Sequence, residues 1–241
     1  MDRAVARTVR QRIEDNGERF WRFTDFRDLP IAAVAKTLSR LAKLGHVQRL
    51  SKGIYYRSRP TVFGPSRPNL SLLQPLAAEK NPVFPAGLAA ASLFGLTTQV
   101  AKRREVSTSA RSLPRKLLGE NIVIHRGRPS AWSQLNPKDA AMLELLRTRA
   151  QNSELSPDET VQRILSRLAG PERFEALMKA ALTEPPRVRA MLGAIGQQLG
   201  KSKSFLTMLR ASLNPLSRYD FGVLAGLKHA KDWNATPRTK R

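Results

Sequence analysis

The stretch between Pro30 and Gly45 most restricts the fold. Val34, Leu38, Leu41 and Leu44 recur there at helical spacing. Proline is tolerated in a first helical turn and glycine ends a helix in the left-handed conformation, so the two flanking residues punctuate one helix. Ala33, Lys36, Thr37, Arg40 and Lys43 fall opposite the apolar stripe, giving a small, polar and basic outer face. Residues 46–50 and 54–57 then read as two strands around Ser51-Lys52-Gly53, a basic hairpin tip. Upstream, residues 4–14 form a first helix through Val5, Val9 and Ile13, stopped by Asn16-Gly17. A short second helix is expected after Thr24, with Thr24 as its cap, Asp25 at its positive end and Phe26 and Leu29 facing in. Phe20, Trp21 and Phe23, just before it, fill the small core. Three helices and a basic hairpin form the pattern of a winged helix-turn-helix, placed at residues 1–60.

Charge restricts the partner as the helix restricts the fold. The 241 residues carry 42 Lys+Arg against 19 Asp+Glu, a formal net charge of +23. Such an excess repels itself unless a polyanion neutralises it, and phosphate backbones are the commonest polyanions a soluble protein meets. Residues 1–60 hold 14 of the cations and 6 of the carboxylates. Cysteine is absent, which excludes disulfides, thiolate metal sites and a cysteine nucleophile and fits a cytoplasmic setting. No apolar segment follows Met1 and no run of about 18 apolar residues occurs, so neither a signal peptide nor a membrane span is expected.

Prolines at 60, 65 and 68 with Gly64 mark a linker over 61–68, and a second domain is expected over 69–230. Its first part is mixed, with helices over 70–78 and 86–94 and strands over 105–109 and 121–126. After Asn136 the chain turns helical. Asn136-Pro137 opens one helix, Ser156-Pro157-Asp158-Glu159 opens the next with a capping box, Pro171 starts a third and 187–199 is a fourth. The end, 231–241, reads as a basic tail. The expected fold class is mainly α with α+β elements: an N-terminal winged helix-turn-helix followed by a mixed, then helical, C-terminal domain.

In a winged helix the third helix enters the major groove while the wing follows phosphate or minor groove. On that reading Lys36, Thr37 and Arg40 meet base edges, and Lys43, Arg49 and Lys52 meet phosphate of double-stranded DNA. The bland alternative is a solvated amphipathic helix followed by a plain hairpin. The hairpin tip, the Gly45 stop and the local charge excess together favour DNA. A second basic cluster, Lys102-Arg103-Arg104, Arg111, Arg115-Lys116, Arg126 and Arg128, is opposed between 102 and 128 only by Glu105 and Glu120. It suits an extended DNA footprint, an RNA, an acidic protein, or simply a solvated face.

Chemistry has no visible home in the sequence. His46, His125 and His229 lack metal-ligand spacing. Phosphate-loop, dinucleotide, nucleophile-elbow and Ser-x-x-Lys motifs are missing. No acidic residue is followed two positions later by lysine and no Gly-Ser dipeptide occurs, so common nuclease and nucleotidyltransferase signatures are missing too. Asp158/Glu159 and Glu172/Glu175 fall in first helical turns, where the dipole accounts for them. No catalytic residue, metal or cofactor is expected. Two other readings stay open. One is a winged-helix transcription factor with a sensing or oligomerising C-terminal domain. The other is a basic RNA-binding interaction protein, although an aromatic content of 6% leaves few rings to stack on bases.

Two segments carry a resemblance to a known family. Leu41-Ala-Lys-Leu-Gly45-His-Val-Gln-Arg49-Leu-Ser-Lys-Gly53-Ile-Tyr55 resembles the recognition-helix end and wing of the AbiEi-type antitoxins. Phe84-Pro-Ala-Gly-Leu-Ala-Ala-Ala-Ser92-Leu-Phe-Gly95-Leu96-Thr97 is similar to the helix that opens their C-terminal domain. The resemblance spans residues 1 to about 130 and leaves the helical half after Asn136 outside it. It implies a bipartite antitoxin of a type IV toxin–antitoxin, phage-defence system. The N-terminal domain would repress its own operon at inverted repeats through Lys36, Arg40, Lys43, Arg49 and Lys52. The C-terminal domain would counteract a co-encoded nucleotidyltransferase toxin, acting on the toxin or its target.

Overall fold

The computed structural model describes residues 2–62, 64–66, 68, 82–111, 113 and 121–236. The helix expected over 70–78 lies outside them. Two units divide the chain: Met1–Lys80 with Leu113–Glu120, and Asn81–Ser112 with Asn121–Arg241. The fold is mixed α/β, with eight α-helices and small sheets among the described residues.

In the first unit, Val5, Val9 and Ile13 bury one side of α1 (Asp2–Asp15) against Val34, Leu38 and Leu41 of α2 (Ile31–Lys43). Asn16 Nδ2 donates to the Arg12 carbonyl at 2.8 Å and Gly17 turns left-handed at φ +62°, ending α1 where expected. The aromatic run is a strand, β1 (Arg19–Arg22), rather than a prelude to a helix. It is antiparallel to β3 (Ile54–Arg57), which also pairs with β2 (Gln48–Ser51), giving the order β1-β3-β2. Trp21 is buried opposite Tyr55, and Phe20 lies opposite Tyr56. The expected second helix shrinks to a single 3-10 turn, Phe23–Phe26. Thr24 does not cap it. Asp25 accepts the Arg22 backbone N–H at 2.7 Å instead, and Pro30 arrives too soon for a second turn.

The proline-rich stretch is built into this unit. β4 (Pro60–Thr61) and β5 (Gly64–Pro65) pair antiparallel across Gly64 at φ +99°. Ser66 closes the hairpin through Arg59 N–H to Oγ (2.8 Å) and its own N–H to the Arg59 carbonyl (2.8 Å). Its Oγ also meets Tyr56 Oη at 3.0 Å and Glu18 Oε1 at 2.9 Å. The units therefore part after Lys80 and not at 61–68.

The second unit joins a small sheet to a helical core. β6 (Phe84–Pro85) is antiparallel to β7 (Arg104–Ser107), which is parallel to β8 (Ile122–His125). The helices are α3 (Gly87–Leu93), α4 (Pro137–Arg147), α5 (Pro157–Leu168), α6 (Pro171–Ala181), α7 (Pro186–Gln198) and α8 (Lys203–Ala211). The expected caps are present: Asn136 Oδ1 accepts the Asp139 N–H at 2.9 Å, and Ser156 and Glu159 form a reciprocal capping box. At the centre Trp132 Nε1 donates to Glu184 Oε1 at 2.6 Å, and Arg147 Nε donates to the other oxygen at 2.7 Å. Both polar atoms of a fully buried carboxylate are thereby satisfied.

The C-terminal stretch departs from expectation. Residues 231–236 are no tail: Trp233 is 2% exposed and Nε1 donates to Gln197 Oε1 at 2.8 Å. Tyr219 and residues 234 and 236 exchange backbone hydrogen bonds of 2.9 Å. Gly193 on α7 leaves the room, since a Cβ there would sit 2.2 Å from the indole. Residues 237–241 lie outside the described residues. Trp233→Ala is expected to destabilise the protein by about 3–5 kcal/mol and Gly193→Ala by at least about 1–3 kcal/mol through overpacking. Urea unfolding reads both, and wild-type midpoints would mean the indole is not docked.

Glu154 gives an acid-side prediction. Thr97 Oγ1 (2.7 Å), the Thr98 N–H (2.8 Å) and Gln99 Nε2 (2.7 Å) all donate to its carboxylate. These donors, Thr97 first, hold its pKa down to about 2 from an ordinary 4.5. A folded-state pKa below the unfolded one adds stability that is complete above the unfolded value and is lost as pH falls from about 4.5 to about 2. Thermal melts across that window should show a smaller loss in Glu154→Gln than in wild type; identical slopes would refute the role.

Candidate nucleic-acid interface

The interface candidate begins with how α2 ends. The N–H of His46 bonds the Leu41 carbonyl at 3.0 Å and that of Gly45 bonds the Ala42 carbonyl at 3.2 Å, with Gly45 at φ +78°. This is a Schellman stop, which fixes the helix length and hands the chain to β2. Leu44, expected in the buried stripe, is the capping residue and stands 62% exposed. Phased on Val34, Leu38 and Leu41, the wheel places it beside Arg40 and off the apolar face.

With Val34, Leu38 and Leu41 buried, the wheel turns Lys36, Arg40 and Lys43 outward, and all three are exposed. Thr37 falls off this row. It is half-buried and its hydroxyl donates to the Ala33 carbonyl at 2.8 Å. Ala33 is likewise half-buried and packs on the core. Exposed Ala32 precedes the cations on the outward side, and half-buried Ser39 lies beside them. Sequence reasoning passed over both, although phasing the wheel on the buried residues finds them. Small residues there let the helix approach a flat or grooved surface closely.

The hairpin tip is held firmly. Lys52 and Gly53 join β2 to β3, Ser51 lies opposite Ile54, and the register shifts between Arg49 and Ser51. Gly53 takes φ +79°, and a Cβ on it would stand 3.0 Å from the Phe23 ring. Glycine thus serves both the turn and the seat on Phe23. Arg49, opposite Tyr55, and Lys52 at the tip are exposed.

Carboxylates are placed elsewhere in this unit. Glu14 is held by Arg10 (2.8 Å), Asp28 by Arg12 (Oδ1 at 2.8 Å), Asp25 by Arg19 (3.8 Å) and Glu18 by Arg59 (3.8 Å). Hydrogen bonds from Arg10 to Glu14, from Arg12 to Asp28, and from Tyr56 and Ser66 to Glu18 lower the pKa of each of these three acids. Among the described residues no carboxylate lies within ion-pair distance of Arg40, Lys43, Arg49 or Lys52. Among the described residues, Arg40, Lys43, Arg49 and Lys52 thus gather positive charge on the surface made by α2 and the hairpin.

The second cluster does not form one patch. Lys102, Arg103 and Arg104 are exposed at the start of β7, while Arg111 and Arg126 are exposed beyond the other ends of β7 and β8. Four-residue strands separate these ends by about 13 Å. Arg128 is structural instead: it grips the buried Glu144, with Nη2 to Oε2 at 3.0 Å. Arg115 and Lys116 lie outside the described residues. His125 pairs with Glu105 and His229 with Asp232, each at 2.8 Å, and His46 is exposed. Among the described residues no group of three or more His, Asp or Glu is placed to hold a metal ion, and no helix is long and apolar enough to cross a membrane.

No family model and no curated protein matches the chain. Among solved structures it is similar to the RV2827C protein from Mycobacterium tuberculosis, at TM-score 0.42 and 16% identity, over 90% of this chain and 84% of that one. At that distance the likeness assigns no family.

Proposed function

We propose that the first unit is a winged helix-turn-helix that binds double-stranded DNA, with α2 in the major groove and the Lys52-Gly53 hairpin as the wing. The chain acts in the cytoplasm as a repressor of its own operon, at inverted repeats. The element order α1, β1, 3-10 turn, α2, β2, β3 and the strand order β1-β3-β2 support this reading. The observation that carries it is the outward row of Lys36, Arg40 and Lys43, joined by Arg49 and Lys52, on a unit in which Glu14, Glu18, Asp25 and Asp28 are engaged by other arginines. Arg40 reads a base edge; Lys43, Arg49 and Lys52 neutralise phosphates.

The resemblance to AbiEi-type antitoxins extends the proposal to the second unit, which would counteract a co-encoded nucleotidyltransferase toxin. The exposed Lys102, Arg103 and Arg104 offer a charged surface for that toxin or its target.

Titration against the chain's own upstream DNA and a scrambled duplex, at several salt concentrations, tests the DNA reading. Arg40→Ala should weaken specific binding by about 1–3 kcal/mol and leave scrambled binding nearly unchanged. Lys52→Ala should weaken both alike and lower the slope of log affinity against log salt by about 1. Equal, steeply salt-dependent binding of both duplexes by the wild type would refute sequence-specific repression.

A further inference from the structure

Asn16, Gly17 and Glu18 alone join α1 to β1, and all three are exposed. The first two are the only Asn-Gly pair in the sequence. An asparagine side chain is open to attack by the backbone nitrogen of the residue after it, and glycine obstructs that approach least because it has no Cβ. Here the approach is clear. A Cβ on Gly17 would meet nothing within 4 Å, and among the described residues no acceptor holds the Gly17 N–H.

The other asparagines differ. Asn81, Asn136 and Asn214 precede proline, which has no N–H. After Asn152 and Asn234 the attacking N–H is already bonded, Ser153 to the Ala150 carbonyl and Ala235 to the Ala230 carbonyl, both at 3.0 Å. After Asn121 it belongs to the β-branched Ile122 at the start of β8. Asn69 lies outside the described residues.

We propose that Asn16 is a self-modification site, where the chain converts its own amide to a carboxylate and so unfastens the end of α1. The Gly17 nitrogen gives up its proton to hydroxide and attacks Asn16 Cγ. The N–Cγ bond forms, the Cγ–Nδ2 bond breaks, and Nδ2 leaves as ammonia with a proton taken from water. A five-membered succinimide is left, and water adds to one of its two carbonyls. Opening at Cγ gives an aspartyl residue; opening at the backbone carbon gives an isoaspartyl residue, with the main chain routed through Cγ. The bond from Nδ2 to the Arg12 carbonyl at 2.8 Å does not block this route, because helix ends open locally at almost no cost. It does set the consequence. The donor that helps stop α1 is lost, and a carboxylate joins exposed Glu14, Asp15 and Glu18 at the negative end of the helix dipole. In the isoaspartyl form the short link to β1 also gains a backbone atom. None of this depends on what the first unit binds.

The test keeps the full chain folded at neutral and at mildly alkaline pH, with a parallel sample in guanidinium, and digests each with trypsin at intervals. Cleavage after Arg12 and Arg19 releases residues 13–19. In the folded chain this peptide should gain one mass unit and divide into two chromatographic forms, faster at the higher pH. The peptides holding Asn121, Asn152 and Asn234 should stay unchanged over the same period. Asn16→Asp, the direct product, should lower the urea midpoint relative to wild type. A 13–19 peptide that stays unchanged in the folded chain, whether or not it changes in guanidinium, would overturn the proposal. Equal change at Asn121, Asn152 or Asn234 would do the same. A wild-type midpoint for Asn16→Asp would overturn the unfastening of α1.

Discussion

Forty-two cations and nineteen carboxylates cannot be matched in pairs, so the placement of the few carboxylates decides which faces stay charged. In the first unit Glu14 on α1, Glu18 after it, Asp25 in the 3-10 turn and Asp28 beyond it are held by Arg10, Arg59, Arg19 and Arg12. Among the described residues none is paired with Arg40, Lys43, Arg49 or Lys52. Like charges gathered on one face repel one another, and a face of this kind persists only if the fold is held by other forces. Here those are the apolar contacts of α1 with α2 and the aromatic pairs across the sheet, such as Phe20 with Tyr56 at 5.3 Å between ring centroids.

Rigid presentation follows from the same scaffold. Gly45 fixes the length of α2, and Gly53 lets the hairpin settle on Phe23. Neither position tolerates a side chain without strain, because both take φ well above zero. The helix and the tip are thereby held in one arrangement before any ligand arrives, which reduces the ordering entropy that association must overcome. The hairpin at 60–65, tied back through Ser66 and Glu18, is held to the unit by similar means.

What was legible in the sequence was what is decided locally. The Pro30 to Gly45 punctuation, the capping box at Ser156 and the Asn136 cap each depend on residues three or four apart, and each forms as expected. The candidate surface was legible for the same reason, because helical spacing alone turns Lys36, Arg40 and Lys43 outward. Elements decided at a distance were hidden. β1 exists because Arg19–Arg22 finds β3 more than thirty residues later, and its aromatic run has no alternation long enough to reveal it. Trp233 sits in a polar stretch whose burial depends on the gap above Gly193, a feature invisible until α7 and the C-terminal segment are brought together. Thr37 and Leu44 were misplaced by the phase of the wheel: counted from Val34, Leu38 and Leu41, both fall at the border between the apolar face and the outward row.

Net charge itself divides in two once the chain is folded. Several arginines are spent within the fold: Arg128 and Arg147 on buried carboxylates, Arg57, Arg187 and Arg189 on backbone carbonyls. These cations help hold the core and cannot reach a phosphate without breaking it. The cations left at the surface, including Lys102, Arg103 and Arg104, attract any polyanion, an attraction that salt screens and that carries no sequence information. Discrimination among sequences must then come from shape and close fit. On the proposed reading those properties would reside on α2, where the small Ala32 and Ser39 beside the outward row would let the neighbouring side chains reach into a groove.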